Sequence, residues 1–327
     1  MKRHWWALCT LALAACATTA EPERSAEWKV AVRVDDGAVA SVWGTSASDV
    51  WAAGGRSGKG LVLHFDGKTW ATVDDQPPGF VWWIYGSGAK DVYAAGEHGL
   101  VRHFDGERWS AVAAHTDATL YGLWVAPSGE VWAVGGNPDG QPGEAVILQG
   151  NALGLAPVLI PKELLPSVLY KIYGSPEGGV VAVGKDGTVL RRRTTGQWQR
   201  DAVPTADALV SLWGGGGQRL YAVGGDALGI LLDYDGQQWR PVDGLQPGLQ
   251  LSGVFAAPGQ PVLAVGAGPR IVELEAKRAP TEVELTGVSG SEQLHAVWGD
   301  GHGLAFAVGG TLLGDPTAMT GVILHRQ

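Results

Sequence analysis

One segment recurs seven times along this chain, and nothing else in the sequence limits the fold as much. It runs from an aliphatic residue and an aromatic, through a short polar stretch, to an alanine and a glycine. The aromatics are Trp43, Tyr85, Trp124, Tyr173, Trp213, Phe255 and Trp298, each preceded by Val, Ile or Leu. Nine residues after each comes Ala52, Ala94, Ala133, Ala182, Ala222, Ala264 or Ala307. Two further on stands Gly54, Gly96, Gly135, Gly184, Gly224, Gly266 or Gly309. The glycines are spaced 39 to 49 residues apart. Such a period marks stacked supersecondary units that bury their faces only against their neighbours.

Each unit holds four strands, seen most clearly in the fifth copy as Leu209 to Trp213, Leu220 to Val223, Ile230 to Tyr234 and Trp239 to Val242. The first two are apolar on both faces, as expected where each unit is covered by its neighbours. The fold class read from this is all-β, a seven-bladed β-propeller with four-stranded antiparallel blades. Fifty glycines and fifteen tryptophans suit short strands and tight turns. The longest helical candidate, Leu153 to Leu169, is broken by Pro157, Pro161 and Pro166. The repeat alanine suits a crowded inner blade, and the repeat glycine is expected to supply a positive φ to the next turn.

The outermost strand opens with Trp70, Trp109, Trp198 and Trp239 in the copies that keep the motif, whereas the seventh copy stops at Gln327 without one. Trp28, Val30 and Val32 reproduce the missing strand ahead of the first copy. An amino-terminal strand therefore closes the last blade and leaves no open edge in the ring. Asp66-Gly67, Asp105-Gly106 and Asp235-Gly236 recur at one hairpin position, which makes those aspartates turn residues rather than catalytic ones. His64, His103 and His325 likewise share one strand position and are not read as a metal cluster.

Before the repeats, Lys2 and Arg3 precede an apolar run from Trp5 to Ala15, too short to span a bilayer and suited to an export signal. It ends in Leu13, Ala14, Ala15, Cys16, which resembles the lipobox of bacterial lipoproteins. That resemblance implies cleavage before Cys16, acylation of its thiol and anchoring by several acyl chains. The alternative is a plain secretory signal cut near Ala20. Ala17 after the cysteine, where an Asp would signal inner-membrane retention, makes the outer membrane of a Gram-negative bacterium the expected site. The organisation read from the sequence is a signal peptide over 1–16, a polar tether over 17–26 and the propeller over 27–327. Cys9 leaves with the signal and Cys16 carries lipid, so thiolate metal sites, disulfides and cysteine nucleophiles are excluded from the folded part.

The formal charge of −9 falls to −11 once the two cations Lys2 and Arg3 are removed, which argues against a nucleic-acid partner. The compact basic run Arg191, Arg192, Arg193 is expected on a solvated outer strand. With those residues in view, the repeat resembles the kelch and WD40-like propeller families, the Gly224, Gly225, Tyr234, Trp239 order carrying the kelch likeness. It is also similar to the VWG…DVWAVGG…HFDGxxW repeats of secreted proteins and lipoproteins of myxobacteria and related bacteria, through Val42 to Gly55 and Leu63 to Trp70. These resemblances imply compartment and architecture rather than a reaction.

Successive turns of a propeller blade alternate between two faces. The first and third turns are short and uniform. The second and fourth carry the insertions Arg56 to Gly60, Asn137 to Glu144 and Thr311 to Thr320 and the long connection Pro157 to Ser167. Variable loops gathered on one face mark a binding surface on a repeat scaffold. Departures from the repeat fall at the same end: Trp83 and Lys171 where other copies have Ser, Gly or Ala, and Trp82, Tyr121, Tyr170 and His295 one residue earlier. These six are the candidate ligand-binding residues, able to stack on a sugar or grip a peptide side chain, and they equally suit filling between blades. No phosphate loop, zinc motif, calcium loop or cofactor signature is found. The function read from the sequence is a tethered, non-catalytic module that binds a protein or glycan through its variable face. The rival is a polysaccharide hydrolase or lyase, which needs carboxylates or a histidine converging at the channel mouth.

Overall fold

The computed structural model describes residues 27–56, 58–74, 77–174, 178–312 and 319–326, so residues 1–26, including Cys16, lie outside the described part. Seven four-stranded antiparallel sheets are arranged as blades around one channel. Six blades are built from consecutive strands, and the seventh takes Trp28–Asp35 as its outermost strand. Helix is confined to two single 3₁₀ turns, Glu97–Gly99 and Lys162–Leu164, among the described residues.

The closing strand pairs with Thr320–Arg326 from Trp28 opposite Arg326 to Asp35 opposite Thr320. Trp28 is buried there and its ring receives the Arg326 guanidinium at 5.5 Å. Arg33 ties the strand to the rest of the blade, donating to Glu292 at 2.7 Å. The first and last described strands are thus hydrogen-bonded to each other, which removes the exposed edge that a ring opened at this blade would present.

The innermost strands are Ala38–Ser46, Val81–Gly88, Thr119–Val125, Leu169–Gly174, Leu209–Gly216, Leu251–Phe255 and Gln293–Gly299. Every one carries a β-bulge at the same repeat position. The extra residues are Ala40, Trp82, Tyr121, Tyr170, Val210, Ser252 and His295. A bulge bends and twists its strand. The bend brings the strand's entry over the second strand, where the repeat glycine lies.

This geometry corrects the expected role of that glycine, which does not adopt a positive φ at any of the seven positions. A Cβ on Gly54 would stand 1.9 Å from the Ala38 carbonyl oxygen, and one on Gly135 1.9 Å from that of Thr119. The other five meet the equivalent carbonyl at 1.9 to 2.4 Å. Close backbone approach, not turn conformation, makes the position glycine.

The third-turn pairs fold as expected. Gly67 takes φ +93°, while Asp66 Oδ1 accepts from the Lys68 and Thr69 N–H groups at 2.9 and 2.8 Å. Those backbone donors hold the carboxyl below its ordinary pKa, and Asp105 and Asp235 repeat the arrangement. The arginine run differs from expectation. Arg191 lies on the third strand of its blade, Thr188–Arg192, and is buried. It is paired with Asp201 at 2.6 Å, and its guanidinium sits 4.5 Å from the Tyr234 ring centre. Its neighbour Arg192 covers Trp132 at 5.3 Å. Aromatic faces of the flanking blades supply what solvent was expected to.

Candidate functional site

The bulges explain why the sequence departures gather. Each extra residue sits where its innermost strand enters from the variable turns, so the seven form a ring at that end of the channel. Blades two to four place large aromatics in this ring and blades five, six and one place Val210, Ser252 and Ala40. Trp82 and Tyr121 have ring centres 5.4 Å apart, and Tyr121 and Tyr170 5.5 Å apart. Phe80, which the repeat pattern does not flag, extends this arc with its ring centre 4.6 Å from Trp82. Trp82, Leu312 and Met319, the last two from the second turn of blade seven, all pack against the buried cluster Ala38, Ala40 and Phe80.

One residue further along each innermost strand is a second layer. Lys171 of blade four is buried, and its Nζ lies 3.3 Å from the ring centre of Trp83 in blade two. That contact reaches across blade three. The ammonium donates to the Tyr121 carbonyl at 3.1 Å, and Trp83 Nε1 donates to the Leu123 carbonyl at 3.0 Å. Burial pushes the lysine pKa well below its ordinary value, since the charged form loses its hydration. Burial, with the Lys171 charge as the second cause, lowers His295 from 6.5 to about 4. His295 Nε2 and Trp82 Nε1 are buried with no protein hydrogen-bond partner. All six predicted residues therefore converge at one end of one channel.

Burial also raises the two tyrosines of the arc, Tyr170 to about 12. Carboxylates act on them from the surrounding turns rather than from within the mouth: Glu97 and Asp139 on Tyr121, and Asp226, Asp139 and Asp186 on Tyr170. Glu97 accepts from the Phe80 N–H at 2.8 Å and Asp226 from the Ala208 N–H at 3.2 Å. A cavity of about 330 Å³ opens beside Tyr121 between Asp117 and Glu144.

Two of the three repeat histidines, His64 and His103, belong to a different arrangement, on the face of the uniform turns. His64 Nε2 lies 2.7 Å from Asp49 Oδ1, which also accepts from Trp51 Nε1 at 3.1 Å, and Thr45 Oγ1 donates to the other oxygen. Blade two repeats it with Ser87, Asp91 and His103, the imidazole stacked on Tyr93 with ring centres 4.3 Å apart. In blade three Glu130 takes the place of the aspartate, accepting from Trp132 Nε1 at 2.7 Å and Gln149 Nε2 at 2.6 Å. In blades one and two, hydroxyl and imidazole both bond the carboxylate rather than each other. These are clasps on the first turn, not nucleophile and base. Their signal in the sequence is an acid two residues before the second-strand aromatic: Asp49, Asp91 and Glu130.

No protein-family model matches the chain, and no curated protein matches it in sequence. Solved structures do match in fold. A selenomethionine-substituted virginiamycin B lyase from Staphylococcus aureus aligns over 91% of this chain and 99% of its own, with TM-score 0.69 and 14% identity. YCF48 from Cyanidioschyzon merolae aligns over 92% and 99%, with TM-score 0.68 and 13% identity. The WD40 propeller domain of Doa1 aligns over 91% and 96%, with TM-score 0.67 and 12% identity. At such identities the likeness is one of architecture, and the architecture hosts proteins of different roles.

Proposed function

We propose that this chain is an envelope-tethered, non-catalytic recognition module that binds a protein or glycan on its variable-loop face. The observation that carries the reading is the contiguous arc Phe80, Trp82, Tyr121, Tyr170 at the channel mouth. Trp82, Tyr121 and Tyr170 are partly exposed and held in fixed positions by the bulged strands, with buried Phe80 backing Trp82, and such rigid aromatics supply contact area with little ordering entropy. The ionisable groups described inside the mouth are an amine, an imidazole and two phenols, all held toward neutrality by burial, and Glu97 and Asp226 around it accept from backbone N–H groups of the turns. Acid–base hydrolysis of a glycoside would ask for paired carboxyl groups across a cleft. The tether and the outer-membrane location rest on the Leu13 to Cys16 motif.

One experiment tests both halves. The Cys16→Ala chain is expected to lose lipid labelling and membrane retention together; retention without the cysteine overturns the anchor. Used as bait in envelope extracts, that soluble chain is expected to recover a partner. Adding Trp82→Ala and Tyr170→Ala should weaken the capture by about tenfold or more at an unchanged fold. Equal recovery by both baits overturns the assignment of the face.

A further inference from the structure

The seven strand aromatics that define the repeat close the other end of the channel, and they do not all do it in the same way. In most blades the residue after the aromatic is a glycine that seats the ring of the preceding blade. A Cβ on Gly86 would come within 2.8 Å of Trp43, one on Gly174 within 2.3 Å of Trp124, and one on Gly214 within 2.7 Å of Tyr173. Blades three and six carry Val125 and Ala256 at this position. A seat that tolerates no Cβ is formed by neither, so Tyr85 of blade two and Trp213 of blade five have none. These two rings stand 5.9 Å apart across the channel, and Tyr85 lies 6.5 Å from Tyr173 of blade four, centre to centre.

Trp43, Trp213, Phe255 and Trp298 are buried at 5 to 8% exposure, as a packed plug requires. Tyr85, Trp124 and Tyr173 are only half-buried, and they form the floor of a bowl of about 570 Å³. Gly178, Gly179, Gly216 and Gly217 stand on its rim with φ between +57° and +90° and present backbone rather than side chains at those positions. Among the described lining residues Arg219 is the charged side chain, and it is already compensated by Asp233 at 3.1 Å. The volume falls in the usual range for ligand pockets.

We infer that this bowl is a second binding site, on the uniform-turn face, for a neutral saccharide ring. Sugar rings present C–H faces to aromatic platforms and hydroxyls to donors and acceptors around them. The floor supplies the platform. Ser87 Oγ, the exposed glycine backbone and the Arg219 guanidinium, whose five N–H groups exceed its two protein partners, supply the polar contacts. A ligand carboxylate or ammonium would find no uncompensated charge among the described lining residues. The inference is independent of the variable-loop face, because none of its residues belongs to the arc.

The test is binding of the full-length chain to matched trisaccharides, chitotriose, cellotriose and maltotriose against trigalacturonate, read by titration of tryptophan fluorescence and by calorimetry. Saturable binding of a neutral trisaccharide is expected, weakened about tenfold or more by Trp124→Ala. Pro127→Trp, on the exposed rim, should weaken it likewise without touching the floor, which separates a blocked bowl from a damaged fold. Trp82→Ala with Tyr170→Ala should leave it unchanged. Preference for the uronate, binding insensitive to Pro127→Trp, binding lost with the arc variants, or no binding of any neutral trisaccharide each overturns the inference. Loss of envelope capture in the arc variants with saccharide binding intact would separate the two faces.

Discussion

At the scale of the residue, the channel mouth concentrates groups whose protonation folding has altered. His295 carries this furthest, lowered by burial and by Lys171 from 6.5 to about 4. The folded state therefore favours neutral imidazole, while the unfolded chain takes up its proton near 6.5. The stability this contributes is fully present above pH 6.5 and is lost as pH falls toward 4. The two values differ enough to cost up to about 3 kcal/mol when both transitions are complete. His295→Gln keeps a polar side chain that does not titrate. Its stability should fall less than that of the wild type between pH 7 and 4, by that order, in urea unfolding followed across the range. Parallel pH profiles for the two chains would show that His295 is solvated and ordinary. The sequence marks His295 only as a departure from a repeat. Its titration comes from neighbours on other blades, which spacing along one strand does not report.

At the scale of the element, the bulged innermost strand and the repeat glycine are one device. The bulge leans the strand entry onto the second strand, and only a residue without Cβ lets the two backbones meet. Reading the sequence finds the glycine and assigns it to a turn, because recurrence shows that a position is constrained without showing by what. The same limit applies to Arg191, whose basic neighbours suggest solvent while Asp201 and the Tyr234 face bury it. Other elements were fully legible. Seven aromatic-to-glycine segments give the blade count, and Trp28, Val30 and Val32 give the closing strand, because both rest on local pattern and on the need to cover an edge. Deleting residues 28–35 removes seven residue pairs from the last blade and leaves Thr320–Arg326 as an open edge. With a shift of about 2–4 °C per kcal/mol for a domain of this size, the melting temperature should drop by at least about 10 °C, with aggregation. An unchanged melt by calorimetry would mean that the ring does not depend on this strand.

At the scale of the whole molecule, closure by hydrogen bonding between the two ends separates the order of the chain from the order of the blades. Trp28 and Arg326 face each other in the last blade, so a short linker can join them without disturbing the sheet. The connection between blades three and four offers a place to open the ring, since Leu159 is 96% exposed and the segment around it lies outside the strands. A permuted chain that begins at Ile160, runs to Arg326, crosses a short Gly-Ser linker to Trp28 and ends at Leu159 keeps every strand pair. If the ring is held by blade-to-blade packing and a paired last blade, this chain should fold to the same β-sheet signature. It should melt in one transition within a few degrees of the wild type, as permutation at exposed loops between neighbouring termini generally permits. The two ends of the channel should also remain distinct in it, because the aromatic arc is assembled from blades two to four and the glycine-rimmed bowl from blades two to five whatever the starting point. A permuted chain that is molten or melts in two steps would show instead that the ring depends on closing last at blade seven.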